Sequence, residues 1–278
     1  KFITVCEGFF TDGTIYSVPK FKWMVNGGEY LFAFEQNRPK ITFTNAKLTC
    51  YIINQGAGKK DNPYADSMIV NNTNGVFEPF VNRFTGRGGT MDWGRTGMDP
   101  SKNYAEITDY KLSLKQTKLE CDSVLTYTEY YPEPLWGDFK DMAKIYDRSI
   151  DRIYPQFTSF SKEVVRKNIL PEVDYVGGFA LEADYFAGIG YDKKPAKLIF
   201  YQDGEPFVQA KALNFKISEK GADATDCSIV MYLNEEDTIF HPGLTMKYKL
   251  DSIPIMNMMR SDKGLAQAPF KDSYHQLD

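Results

Sequence analysis

Two histidines limit what this chain can do by proton transfer. A Ser-His-acid triad would have to use His241 or His275. His241 stands in Phe240-His241-Pro242-Gly243, a turn context, and His275 lies beside the end of the sequence. No serine carries the Gly-x-Ser-x-Gly elbow that exposes a nucleophile. His241 is therefore expected to be a turn or solvent histidine. Among the carboxylates, Asp92, Asp99 and Glu106 surround Trp93 and Arg95. Glu182 and Asp184 are two apart on a strand expected after Gly178, which puts them on one face. A glycosidase needs two carboxylates roughly 5–10 Å apart across a sugar cleft. This acidic pair meets that condition, but a solvated strand face explains it more simply. The best binding candidate is aromatic. Tyr130-Tyr131-Pro132-Glu133-Pro134-Leu135-Trp136 is stiffened by two prolines, so Tyr130, Tyr131 and Trp136 make a stacking platform for a sugar or an anchor for a protein partner. The plainer reading folds these rings back onto the core.

Cofactor and metal chemistry find little support. The four cysteines, Cys6, Cys50, Cys121 and Cys227, form no CxxC pair and have no histidine near them in sequence, which argues against zinc. They read as isolated buried thiols. Asp61-Asn62-Pro63 and Asn71-Asn72-Thr73-Asn74-Gly75 are oxygen-rich loops without the spacing of a calcium loop. Thr85-Gly86-Arg87-Gly88-Gly89 lacks the Gly-Lys-Ser/Thr ending of a phosphate loop. No cofactor and no metal are expected. A net charge of -4 without a basic block argues against nucleic acid. The longest apolar runs are too short for a membrane span. The sequence begins at Lys1 and ends at Gln276-Leu277-Asp278, which reads as a segment of a longer protein or a mature form.

The elements that must position these residues are mostly strands. Aromatic content is 15 %, and aromatic side chains favour pleated, half-buried surfaces. Lys40-Ile41-Thr42-Phe43-Thr44 and Tyr110-Lys111-Leu112-Ser113-Leu114 alternate with period two. Asp203-Gly204, between Leu198-Ile199-Phe200-Tyr201 and Phe207-Val208, predicts a hairpin. Asp138 to Ile153 predicts a helix, because Phe139, Met142, Ile145, Tyr146 and Ile150 follow a three-to-four spacing. A three-part signature recurs along the chain. Gly27-Gly28, Gly88-Gly89 and Gly177-Gly178 each precede a Lys-apolar-hydroxyl triplet: Lys47-Leu48-Thr49, Lys111-Leu112-Ser113 and Lys216-Ile217-Ser218. A serine beside Asp or Cys follows in each case, at Ser67, Ser123 and Ser228. Such recurrence predicts internal repeats, with the glycine pairs at equivalent corners, Leu112 matched to Ile217, and Val124 matched to Ile229. Residues 1–153 would hold two units and the possible helical connector, and residues 154–278 the third.

Phe84-Thr85-Gly86-Arg87-Gly88-Gly89-Thr90-Met91-Asp92-Trp93, with Tyr110-Lys111-Leu112 and Asp122-Ser123-Val124, resembles very long β-repeat proteins of the Bacteroidota cell envelope. Val173-Asp174-Tyr175-Val176-Gly177-Gly178-Phe179 and Asp272-Ser273-Tyr274-His275 are similar to other blocks of that group. The resemblance implies an exported protein, periplasmic, outer-membrane-associated or extracellular, and carries over no functional residue. The fold expected is all-β, an elongated β-solenoid or β-roll with internal repeats, with tandem β-sandwiches as the alternative. The function expected is a non-enzymatic structural or interaction segment with a protein or surface-polysaccharide partner. The alternatives are a carbohydrate-binding or glycoside-processing module and a periplasmic β-roll that guides an amphipathic lipid.

Overall fold

The structure, a computed structural model, describes residues 2–53, 64–144, 153–234, 236–260, 264–272 and 276–277. The protein is all-β: among the described residues one α-helix, α1 (Phe2–Asp12), precedes 23 strands. The chain forms two compact units. One is Lys1–Glu129 with Glu133–Phe157, and the other is Tyr130–Pro132 with Thr158–Asp278.

The first unit contains β1 (Thr14–Val18), β2 (Phe21–Asn26), β3 (Glu29–Glu35), β4 (Arg38–Ile53), β5 (Tyr64–Glu78), β6 (Arg83–Arg87), β7 (Thr90–Asp92), β8 (Tyr104–Glu106), β9 (Asp109–Ser113) and β10 (Lys118–Thr128). Strands β11 (Tyr131–Met142) and β12 (Gln156–Ser159) have residues in both units. The second unit continues with β13 (Val164–Leu170), β14 (Val173–Glu182), β15 (Tyr185–Ile189), β16 (Ala196–Gln202), β17 (Glu205–Ala212), β18 (Asn214–Ser218), β19 (Gly221–Tyr232), β20 (Thr238–Lys249), β21 (Ile255–Met259), β22 (Phe270–Lys271) and β23 (Gln276–Leu277).

In the second unit the antiparallel pairings close on themselves: β14 with β15, β15 with β18, β18 with β19, β19 with β17, β17 with β16, and β16 with β14. In the first unit β5 pairs with β6 and β6 with β9, while β5 also pairs with β7, β7 with β8 and β8 with β10. Residues 114–117 then join β9 to β10. Five pairings thus have the same connectivity in both units, strand for strand in chain order. The pairings do not establish a solenoid.

Long strands serve two neighbours each because they are bent. Strand β4 buries Ile41 and Phe43, then Ala46, Leu48, Cys50 and Ile52, so the inward set changes parity at Thr44-Asn45. Asn45 takes φ 54, and the register with β5 shifts there. The same parity change occurs at Asn72 in β5, Ser123 in β10 and Asp226 in β19, all with positive φ. A bulge adds one residue and kinks the strand, and Asn and Asp tolerate the left-handed region better than most residues. After its bulge, β19 leaves β18 and pairs with β17.

Aromatic rings fill both interiors. In the first unit Phe84 stacks between Phe43 at 6.3 Å and Tyr110 at 6.2 Å. In the second, Phe186 meets Phe179 at 4.7 Å and Tyr175 at 4.9 Å. A Cβ on Gly86 would lie 2.1 Å from the Tyr110 ring, and one on Gly188 would lie 2.5 Å from the Tyr175 ring. Glycine is required at both places because a ring lies against the strand.

Several sequence expectations are corrected. Asp138–Met142 belongs to β11, not a helix. Gly137, Phe139, Asp141 and Ala143 alternate inward with period two, which outweighs the looser helical spacing. Residues 145–152 lie outside the described residues. Asn71 to Gly75 forms the bent middle of β5, not a loop, and Asp61-Asn62-Pro63 lies outside the described residues. The glycine pairs are not equivalent corners: Gly27-Gly28 joins β2 to β3, Gly88-Gly89 joins β6 to β7, and Gly177-Gly178 is inside β14. The Asp203-Gly204 turn forms as expected, with φ 52 and φ 86, and joins β16 to β17.

Candidate functional site

A cluster of largely buried charges, Arg95 with Asp66 and Asp141, lies in the first unit. Arg95 follows the buried Trp93 just after β7, where Asp92 Oδ1 accepts the Gly94 N–H at 2.9 Å and fixes the turn. Trp93 meets Phe139 edge-on at 5.5 Å. The guanidinium Nη1 donates to Asp66 Oδ2 at 2.9 Å and to the Ser67 carbonyl at 3.3 Å. Nη2 donates to Asp141 Oδ1 and, at 3.2 Å, to the Met142 carbonyl. Asp66 Oδ2 also accepts the Lys144 N–H at 3.0 Å, and Asp141 Oδ1 the Met142 N–H at 2.7 Å. One arginine therefore ties the start of β5 to the end of β11.

Burial dominates the titration here. It pushes the Asp141 carboxyl up to about 6, against the opposing pull of Arg95 and the Met142 N–H. Cys50 is raised above the ordinary thiol range, mainly by burial and then by Asp66 and Asp141. A thiol held protonated is a poor nucleophile. Cys121 and Cys227 are pushed up to about 12, again mainly by burial. All four cysteines are free, and Cys50, Cys121 and Cys227 are buried. The cluster is a structural tie between strands, because its carboxylates already accept charged and backbone donors.

That tie shapes one wall of a cavity of about 750 Å³, formed by Met142, Ala143 and Lys144 with Lys115 to Lys118, Ile52, Ile53, Lys20 and Phe21. Backbone hydrogen bonds hold the walls together: Ala143 N–H to the Thr117 carbonyl at 3.0 Å and Ile53 N–H to the Lys20 carbonyl at 2.9 Å. Trp23 Nε1 donates to the Gln116 carbonyl at 2.9 Å and anchors the third wall. The lining combines apolar side chains with four lysines, of which Lys118 is already paired with Glu120 Oε1 at 2.7 Å.

The sequence-predicted residues do not assemble into one site. Glu182 ends β14, and Asp184 lies in the two-residue turn before β15, so the two are not neighbours on one strand face. The intervening Ala183 has φ 49, which breaks the alternation assumed from sequence. Tyr185 Oη donates to Glu182 Oε2 at 2.6 Å. The supposed rigid loop is strand from Tyr131 onward. Tyr130 and Tyr131 fold onto the second unit's core: Tyr130 lies 5.3 Å from Phe186 and Tyr131 lies 5.1 Å from Phe179. Trp136, in the first unit, is 52 % exposed. His241 is no turn histidine. It lies in β20 at 1 % exposure, where Nδ1 accepts the Gly243 N–H at 3.1 Å. Nε2 must then carry the proton and donate to the Ala268 carbonyl, 2.8 Å away. His275 lies outside the described residues.

In the sequence Arg95 stands among Asp92, Asp99 and Glu106, but its side chain bonds to Asp66 and Asp141, 29 and 46 residues away. Nothing in local spacing signals those contacts. Among the described residues, no group of three or more His, Cys, Asp or Glu could hold a metal ion, and no helix is long and apolar enough to cross a membrane. Comparison with known protein families, curated proteins and solved structures found no match.

Proposed function

We propose that this chain is a non-enzymatic structural and interaction segment of an exported cell-envelope or surface protein, built from tandem copies of one strand arrangement. The observation that carries the reading is the shared connectivity of the two units, five pairings matched strand for strand. A strand arrangement used twice in one chain suits a modular structural protein, in which each unit supplies its own core. The residues proposed for turnover also support it. Glu182 is engaged by Tyr185, and both His241 nitrogens are engaged with backbone. The test has two parts. Protease treatment of intact cells carrying the complete protein should release peptides of this chain. The purified chain should show no hydrolysis across a polysaccharide and ester panel. Turnover lost in Glu182→Gln or Asp184→Asn would overturn the non-enzymatic reading, and peptides released only after lysis would overturn surface display.

The cavity in the first unit favours a second reading, an amphipathic-lipid site, because its apolar lining also carries Lys20 and Lys115. Displacement of a fluorescent fatty acid from the purified chain, weakened in Phe21→Asp, is the expected result. Absence of displacement would remove that reading.

A further inference from the structure

The outward face of the β16–β17–β19 sheet carries a feature that neither interior explains. Phe200, Val208 and Ile229 are buried, so their alternating neighbours Tyr201, Phe207, Val230 and Tyr232 point away from the core. The register shifts between Phe200, which pairs with Val208, and Tyr201, which pairs with Pro206, so Phe207 is the extra residue of a bulge and stands with Pro206 opposite Tyr201, while Val208 pairs with Met231. Tyr201, Phe207 and Tyr232 therefore form a row across three adjacent strands, which stand about 4.8 Å apart. All three line a groove of about 720 Å³. Phe207 is 40 % exposed, a large ring left in water without a core to fill.

We infer that this groove binds a neutral glycan. The inference rests on the interaction reading and names the chemistry of the ligand. Three rings in a row offer flat apolar surface to the C–H faces of sugar rings. Gln202 and Gln209 line the same groove, and each amide supplies donors and an acceptor to hydroxyls. Asp203 and Glu205, at the turn end of the hairpin, add carboxylate acceptors. A purely apolar ligand would strip water from these polar groups without replacing its hydrogen bonds, which is costly. No lysine or arginine lines the groove among the described residues, so nothing there attracts an anionic chain.

The groove is held in shape before any ligand arrives. The Asp203-Gly204 turn fixes the end of the β16–β17 hairpin. Tyr201 Oη donates to Asp174 Oδ2 at 3.3 Å, which steadies the first ring of the row. At the other rim, Asn234 Oδ1 accepts the N–H groups of Glu236 at 2.9 Å and Asp237 at 2.7 Å. A preformed site loses less entropy on binding than one that must be ordered by its ligand.

The experiment is isothermal titration of the purified full chain with a panel of neutral and acidic oligosaccharides and one proline-rich peptide. Wild type is compared with the double variant Phe207→Ala/Tyr232→Ala and with Phe160→Ala, an exposed ring outside the groove, after circular dichroism shows that each is folded. Binding of a neutral oligosaccharide is expected, weakened about tenfold or more in the double variant and unchanged in Phe160→Ala. A second variant, Gln209→Ala, leaves the rings in place and should weaken the same binding. The inference is overturned by no binding across the panel, by equal binding in the double variant, by preference for acidic chains, or by binding of the peptide in place of the glycan. Failure to bind without turnover would leave the structural reading standing. Hydrolysis of a bound glycan would remove the non-enzymatic reading and keep the groove.

Discussion

Arg95 is the residue on which the first unit's charge balance depends. Its side chain is 17 % exposed, and those of Asp66 and Asp141 are 10 % and 3 % exposed. Removing one partner of a buried ion pair leaves an uncompensated charge, so Arg95→Met should destabilise the fold by about 3–5 kcal/mol in urea titrations. The pH dependence follows from Asp141. Its folded value, about 6, lies above the ordinary carboxylate value of about 4. Between those limits the folded state binds more protons than the unfolded state, so the contribution of Asp141 to stability falls as pH rises through that window. Arg95→Met removes the main opposing pull and raises the folded value further. The deficit of the variant should therefore shrink as pH is lowered from 7 to 5. A deficit constant over that range would show that no desolvated carboxylate is at stake.

At the scale of the element, the bends in the long strands decide which neighbours each strand can reach. Ser123 has φ 60 and Asp226 has φ 49, and both side chains are exposed, so substitution there tests backbone conformation more than packing. Ser123→Gly and Asp226→Gly should be tolerated, whereas Ser123→Val and Asp226→Val should each cost about 1–2 kcal/mol or more in thermal or urea unfolding. Equal stability of the Gly and Val variants would mean that the bulges carry no strain. Glycine placement belongs to the same scale. Gly86→Ala would press a methyl group against the Tyr110 ring, whose hydroxyl lies 2.9 Å from Thr73 Oγ1. Overpacking of this kind typically costs about 1–3 kcal/mol. A lowered unfolding midpoint is expected, and an unchanged one would show that the ring has room to move.

Across the whole molecule, matching registers allow the two units to be compared position by position. Phe84 pairs with Leu112 as Phe186 pairs with Ile217, and Gly86 pairs with Tyr110 as Gly188 pairs with Phe215. Met91 pairs with Ala105 as Leu198 pairs with Ala210. Ala105 then faces Thr126, whereas Ala210 faces Ile229. Ile229 thus holds the position of Thr126, and the residue after each bulge, Val124 or Cys227, forms the other matched pair. The expected match of Val124 with Ile229 is off by two residues. The link from Ser218 to Gly221 is two residues shorter than that from Ser113 to Lys118, and an even shift keeps the same face inward. Thr126 Oγ1 is buried with no hydrogen-bond partner, while its counterpart is apolar. Thr126→Val should therefore be neutral or stabilise the protein by about 1 kcal/mol, measured by urea denaturation. A clear loss of stability would show that the hydroxyl is satisfied in solution.

Local pattern was enough for the all-β character, for the Asp203-Gly204 hairpin and for the inward positions of Leu112 and Ile217, because period-two burial and turn chemistry act over a few residues. The same locality misled at Asp138–Met142, where helical and strand spacings overlap for a short run, and at Glu182 and Asp184, where a turn cuts the alternation. His241 was misplaced because its proline and glycine neighbours suggest a turn, while the contacts that bury it come from Ala268 and Phe270. Tertiary structure alone brought Asp66 and Asp141 to Arg95 and set Tyr201, Phe207 and Tyr232 in one row. Both are products of strand register, and register is fixed by bulges, turn lengths and the packing of both interiors together.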